Sequence, residues 1–170
     1  MNSKILKTLI TERCKLSPLA ETDFDELTLL IGAEVRRYLG GAIPVERFLE
    51  QMRQSTRESN TLHFTVFIKN TNARIGLITV APHHNPADTE ISYMFLPEYW
   101  GNGYARESVK AALDFCGREL KLKRVVAETQ TANLRSRNLL EKLGYHAESK
   151  IERFGAEQTI YVYEFANVNS

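Results

Sequence analysis

In "EISYMFLPEYWGNGYARESVKAALDF", Glu90 to Phe115, a β-rich run meets Pro97, then Gly101 and Gly103, and then apolar residues spaced by three and four. A strand is expected over Thr89–Leu96, ended by Pro97, which cannot donate to a ladder. A long amphipathic helix is expected over Tyr104–Leu120, because Ala105, Val109, Ala112, Leu113, Cys116 and Leu120 fall on one face. A glycine pair between a strand end and a helix start aims several unpaired N–H groups at one point, where the aligned peptide dipoles leave partial positive charge. Phosphate is the expected guest, and Arg106 in the first turn adds a charge-assisted contact. The plainer reading of a bare Gly-x-Gly is a tight strand-to-helix turn. A dinucleotide fingerprint needs a third glycine where Arg106 stands, and a P-loop needs a Gly-Lys-Ser/Thr ending that this stretch lacks.

Working outward, Glu12–Ser17 reads as a first strand stopped at Pro18. A helix follows, capped by Thr22 or Asp23, with Phe24, Leu27, Leu30 and Ile31 at helical spacing before Gly32. Pro44 suits the first turn of a second helix carrying Val45, Phe48, Leu49 and Met52 on one face. "LHFTVFIK" (Leu62–Lys69) and "RIGLITV" (Arg74–Val80) read as a hairpin. Beyond the long helix come a strand at Arg124–Thr129 and a helix marked by Leu134, Leu139, Leu140 and Leu143 and closed by Gly144. Two strands, Tyr145–Ile151 and Thr159–Phe165, are joined by a turn around Gly155. The sum is a single domain over residues 1–170, α/β (α+β) in class. Its sheet is mixed and mostly antiparallel, of about seven strands, flanked by about four helices.

The chain has 170 residues with 22 basic and 21 acidic side chains, a net charge of +1, and no long run of either sign. That balance argues against capture of nucleic acid or an anionic membrane, so any anion must be held locally. Cys14 and Cys116 have no metal-ligand spacing and read as free thiols in a reducing, cytoplasmic setting. "MNSKILKTLITERCKL" sustains no signal-like apolar stretch, and no segment approaches a membrane span. The pair His83-His84, in a proline-flanked loop without a carboxylate or thiol at ligand spacing, reads as surface residues, so no metal is expected.

"EISYMFLPEYWGNGYARESVKAALDF" followed by "ETQTANLRSRNLLEKLGY" resembles the GNAT superfamily of acetyl-CoA-dependent N-acetyltransferases. Within it the likeness is to the branch containing the ribosomal-protein N-terminal acetyltransferases. "TERCKLSPLAETDFDEL" is similar to that branch's opening strand and helix, and "EVRRYLGG" to its second segment. The resemblance implies that Gly101, Asn102, Gly103, Tyr104, Ala105 and Arg106 wrap the coenzyme's pyrophosphate, with Trp100 replacing the usual Arg or Gln. It also implies that Met94, Phe95 and Leu96 run beside the pantetheine arm in a gap between the fourth and fifth strands, with an amide, most naturally that of Met94, polarising the thioester.

Acyl transfer to an amine needs a neutral nucleophile, and an α-amine (pKa ~8) or a lysine amine (~10.4) arrives mostly protonated at neutral pH. By resemblance Glu90 is the general base, directly or through a water; the other readings are ordered water alone, with Glu90 simply opening a strand. Asn133 is implied to contact the pantetheine arm, or it caps its helix. Asn138 is implied as a further coenzyme contact. Ser136 is implied to lie near the sulfur; the tyrosine acid of many relatives is replaced here by Leu140, so Ser136 or water is left to protonate the thiolate. Tyr161, Tyr163 and Phe165 read as one packed sheet face, with Tyr161 within approach of the acceptor pocket. The resemblance puts that pocket between Glu34–Val45 and Arg153–Gln158. The expected activity is direct transfer from acetyl-CoA to a primary amine, a protein N-terminus or a small molecule, by a monomer or homodimer. The alternative is a non-catalytic acyl-CoA-binding sensor or peptide-binding module on the same fold.

Overall fold

Strand β5 (Thr89–Phe95) runs into helix α3 (Tyr104–Arg118), and α3 returns the chain to β6 (Arg124–Gln130), which lies parallel to β5. Parallel neighbours need such a crossover, whereas antiparallel ones need only a turn. The computed structural model describes residues 7–166, so part of the N-terminal segment read above lies outside them. The other strands are β1 (Leu9–Ile10), β2 (Cys14–Pro18), β3 (Leu62–Ile68), β4 (Arg74–Pro82), β7 (His146–Arg153) and β8 (Ala156–Glu164). The other helices are α1 (Phe24–Leu27), α2 (Val45–Ser55) and α4 (Leu134–Lys142).

All eight strands join one sheet in the order β1-β2-β3-β4-β5-β6-β8-β7. Every pairing but β5 with β6 is antiparallel, and that one is a single bridge, Glu90 to Val126. Past that bridge the two strands part, opening a gap toward their C-terminal ends. Phe64, Ile75, Ile78, Ile91 and Val125 from the strands meet Val109 and Leu113 of α3 and Leu140 of α4 in one main core, between the sheet and the α3/α4 layer. On the opposite face Leu27, Leu30, Phe48, Leu77 and Leu96 form a second core, under α1 and α2. Each such side chain, fully buried, stabilises the fold by roughly 1.5–3 kcal/mol relative to exposure.

Four expectations change. An eighth strand, the two-residue β1, pairs with β2, and β2 begins at Cys14 rather than Glu12. The first helix is a short α-turn flanked by 3₁₀ turns at Glu21–Asp23 and Thr28–Ile31. Asp23 stands at its N-cap position, but its side chain is buried and turned away from α1, accepting from the Ala20 N–H (3.0 Å) and the Thr65 hydroxyl (2.9 Å) and pairing with Arg74 (2.9 Å). The final hairpin is longer than expected, its turn reduced to Phe154 and Gly155, both at positive φ. Among the described residues no helix is long and apolar enough to cross a membrane, and both cysteines are free and buried.

Candidate active site

Gly103 immediately precedes α3 at φ 82°, and Gly101 sits at φ 76°, conformations that a side chain makes costly. With the chain curled this way, no backbone N–H from Gly101 through Arg106 finds an acceptor among the described residues; the first bond into the helix is Glu107 N–H to Gly103 O. The sequence reading missed Arg13, which buttresses this loop. Its guanidinium donates to Asn102 O (2.9 Å) and to Glu107 Oε2 (2.8 Å), and it stacks 4.6 Å over the Tyr104 ring. Burial would raise the Glu107 carboxyl, but donors from Thr11 and Arg13 outweigh it and hold that carboxyl below its usual value. Arg13, Arg106, Lys110 and Lys142 line a surface cleft of about 380 Å³ beside Gly103. A group with several phosphate charges fits such surroundings.

The gap between β5 and β6 opens next to this loop as a cleft of about 400 Å³ lined by Tyr93, Met94, Phe95, Trp100, Ala105, Asn133, Arg135 and Ser136, among others. Ladder alternation decides which backbone groups face it. Leu96 N–H bonds Ile75 O (2.9 Å), so Leu96 and, two residues back, Met94 direct their amides toward β4, while Phe95 turns its N–H and C=O toward the gap. The expectation of Met94 as the donor therefore shifts to Phe95. Its carbonyl is already capped by the Trp100 indole N–H (2.8 Å), a use for that tryptophan that the sequence did not disclose. Leu96 packs its side chain into the second core, away from the cleft.

Asn133 caps α4, accepting from the Ser136 N–H (3.2 Å), and also lines the cleft, so the cap and the cleft contact are combined in one residue. Asn138 is exposed and outside that lining. Ser136 Oγ lies 2.7 Å from the hydroxyl of Tyr93, a residue the sequence reading passed over. Burial pushes the Tyr93 phenol up to about 12, partly offset by the Ser136 bond, so it stays protonated at neutral pH. This pair stands between the cleft and a second cavity of about 430 Å³, and both spaces share Val35, Tyr38, Tyr93, Asn133 and Ser136.

The second cavity holds Glu90, Glu128, Arg153, Phe154, Gln158 and, from the segment before α2, Val35, Tyr38, Leu39 and Gly40. Burial pushes the Glu90 carboxyl above its ordinary value, against a modest opposing bond from the Glu128 N–H at 3.4 Å. Glu128, not singled out from the sequence, presents a carboxylate only 7% exposed. Its Oε2 takes bonds from His83 Nε2 (2.9 Å) and Arg153 (2.9 Å), while its Oε1 has no partner. His83 is thus a buried residue, correcting its reading as a surface one: the loop after β4 folds back over β6. His83, His84 and Glu128 bring ligand-type atoms within 4.8 Å of one another. The Arg153 guanidinium, bonded to both Glu128 and His84, places its own positive charge at that point. Tyr161 faces α4, its hydroxyl donating to Glu141 (2.8 Å) and accepting from Arg137 (3.1 Å), so it does not line the acceptor side.

Residues 13–146 match the sequence model of the acetyltransferase (GNAT) domain. A Bacillus subtilis protein, YkkB, is 28% identical over 99% of this chain and 100% of its own length. Among solved structures, a spermidine N-acetyltransferase from Vibrio cholerae, in complex with CoA and spermine, superposes with a TM-score of 0.78 at 18% identity, covering 89% of this chain and 95% of that one. The ribosomal-protein-S5-alanine acetyltransferase from Vibrio fischeri does so with a TM-score of 0.73 at 17% identity, over 96% and 99%. These two likenesses show the shared fold, and their different acceptors show that the fold alone does not choose one. The domain match over most of the chain carries the assignment: the protein belongs to the GNAT acetyltransferase family.

Proposed function

We propose that the protein transfers acetyl from acetyl-CoA directly to a primary amine in a ternary complex. The observation that carries this reading is the pair of cavities meeting at Tyr93 and Ser136. A thioester entering from one side and an amine from the other come together there, so no acyl-enzyme is needed. Neither cysteine lines either cavity, and burial raises the Cys116 thiol to about 12, far from a nucleophile's range.

Coenzyme A, when bound, supplies an acetyl group activated as a thioester. The N–H groups of residues 101–106 hold its pyrophosphate, with Arg13 and Arg106 adding charge. Phe95 N–H donates to the carbonyl oxygen as negative charge develops on it. Glu90, with its raised pKa, takes the ammonium proton of the acceptor, directly or through a water, and the freed lone pair attacks the carbonyl carbon. As the C–S bond breaks, Ser136 gives its proton to the sulfur and is resupplied by Tyr93, and the second proton shed by the attacking nitrogen restores Tyr93, so the two protons lost by the ammonium end on Glu90 and on the thiol. Asn133 fixes the start of α4, and with it the position of Ser136.

The test is free-thiol release from acetyl-CoA with a panel of amines, the products identified by mass spectrometry. Acetylated amine with one equivalent of thiol is the expected result. Tight coenzyme binding with no product from any amine would overturn the reading in favour of a sensor.

A further inference from the structure

The geometry points to a small primary amine with an apolar carbon skeleton as the acceptor, its ammonium against the free oxygen of Glu128 and its apolar part between Leu39 and Phe154. This rests on the acetyl-transfer reading above and specifies its acceptor. Three observations on the 430 Å³ cavity converge. The first is the unpartnered Glu128 Oε1. A carboxylate oxygen shut away from water without a donor is destabilising, and because Glu128 lines the cavity, a turn of its carboxylate toward a ligand N–H there would satisfy it. The neighbouring protein groups are already engaged. Asn85 N–H donates to His83 Nδ1 (3.3 Å), so the His83 proton sits on Nε2, where it is spent on Glu128 Oε2. Arg153 is spent on the same oxygen.

The second observation is charge. Arg153 neutralises Glu128, and among the described residues Glu90 is the only other carboxylate lining this cavity. One ammonium is well matched to those surroundings, whereas an acceptor carrying several positive charges would leave most of them unpaired. The third is the rim. Leu39 is 48% exposed and Phe154 78% exposed, and both line this cavity, one from the segment before α2 and the other from the β7–β8 turn. Phe154 sits at φ 56° beside Gly155 at φ 76°, a turn that asparagine or glycine would fill with less strain. The Arg153 guanidinium lies 4.4 Å over its ring and braces it at the mouth. A bulky apolar side chain held exposed in a strained turn has a use if the ligand covers it. A cavity of this size accommodates a small molecule.

The experiment compares kcat/KM for phenethylamine, hexylamine, ethanolamine, spermidine and a peptide with N-terminal phenylalanine, each with acetyl-CoA. Phenethylamine and hexylamine are expected to exceed ethanolamine by about 100-fold, since each buried methylene contributes about tenfold or more. Phe154→Asn, a residue suited to the turn, should cut the phenethylamine-to-ethanolamine ratio by about tenfold. Glu128→Gln should raise KM for phenethylamine by about tenfold with a smaller change in kcat. Acetylation with no apolar preference, a preference for spermidine or the peptide, or a ratio unmoved in Phe154→Asn overturns this inference and leaves the acetyl-transfer reading standing. No turnover of any amine by coenzyme-bound protein overturns both.

Discussion

The two sides of the β5–β6 gap are built in opposite ways. On the side proposed for the coenzyme the elements are contiguous: residues 95–106 supply a cleft-facing strand end, a glycine turn and a helix start, and most of the available donors are backbone. On the side proposed for the acceptor the walls come from five separate places, the segment before α2, β5, β6, α4 with its cap Asn133, and the β7–β8 hairpin, and the donors and acceptors are mainly side chains. Backbone donors cannot be substituted away, only crowded, so the first side is robust in chemistry and sensitive in shape. Side-chain walls can be exchanged without disturbing the sheet. The spermidine and ribosomal-protein acetyltransferases named above illustrate the result, one fold with different acceptors.

That contrast gives graded expectations. The largest effect is on turnover: Glu90→Gln should lower kcat at pH 7 by about 10²- to 10³-fold while leaving coenzyme affinity intact. Because burial raises the Glu90 carboxyl, the parent's rate should climb with pH through a transition above the ordinary carboxylate range, and the variant's profile should lack that limb. An unaltered profile would remove Glu90 as the base. Next comes shape on the other side. Gly103→Asp forces a Cβ into left-handed backbone 3.1 Å from Arg13 Nη2 and brings an anion to a phosphate site. Calorimetric titration should show coenzyme binding weakened by about 30- to 1,000-fold, from strain and charge each worth about 1–2 kcal/mol. Unchanged affinity would break the claim that these amides hold phosphate. Smaller still, Tyr93→Phe leaves Ser136 without its 2.7 Å partner and should cost about tenfold in kcat with both KM values little changed.

The same contrast explains what the sequence disclosed. The glycine turn and α3 were legible because each follows from residues within a few positions of one another, whereas the gap between β5 and β6 was implied only by the family resemblance. Arg13 with Glu107 spans 94 positions, Tyr93 with Ser136 spans 43, and His83 with Glu128 spans 45. No periodicity reports such meetings. His83 was misread because a proline-flanked loop says nothing of where it folds, and that loop closes over β6. The amide facing the gap was misassigned because ladder phase depends on the partner strand, set here by Leu96 bonding Ile75. Tyr161 was given the right sheet face, yet its hydroxyl is spent on Arg137 and Glu141 of α4.

Two glutamates, one on each side, carry the smallest expected effect and set the comparison against pH. Glu90 has a raised folded-state pKa, so the folded chain binds its proton more tightly than the unfolded one. Its contribution to stability is present below about 4.5, its ordinary value, and is lost as pH rises through the raised one. Glu107, held low by Thr11 and Arg13 in spite of burial, contributes above its ordinary value, and that contribution is lost as pH falls through the lowered one. Thermal melts should therefore show Glu90→Gln gaining stability over the parent at pH 7 and losing that gain near pH 4. Glu107→Gln should lose stability at pH 7 and approach the parent in acid. The signs oppose because the acceptor side keeps its carboxylate short of partners, ready to take a proton from an amine, whereas the coenzyme side surrounds its own with donors to pin a loop. Matching signs for the two variants would mean that Glu90 is satisfied in the resting protein, and a satisfied carboxylate is a poor base.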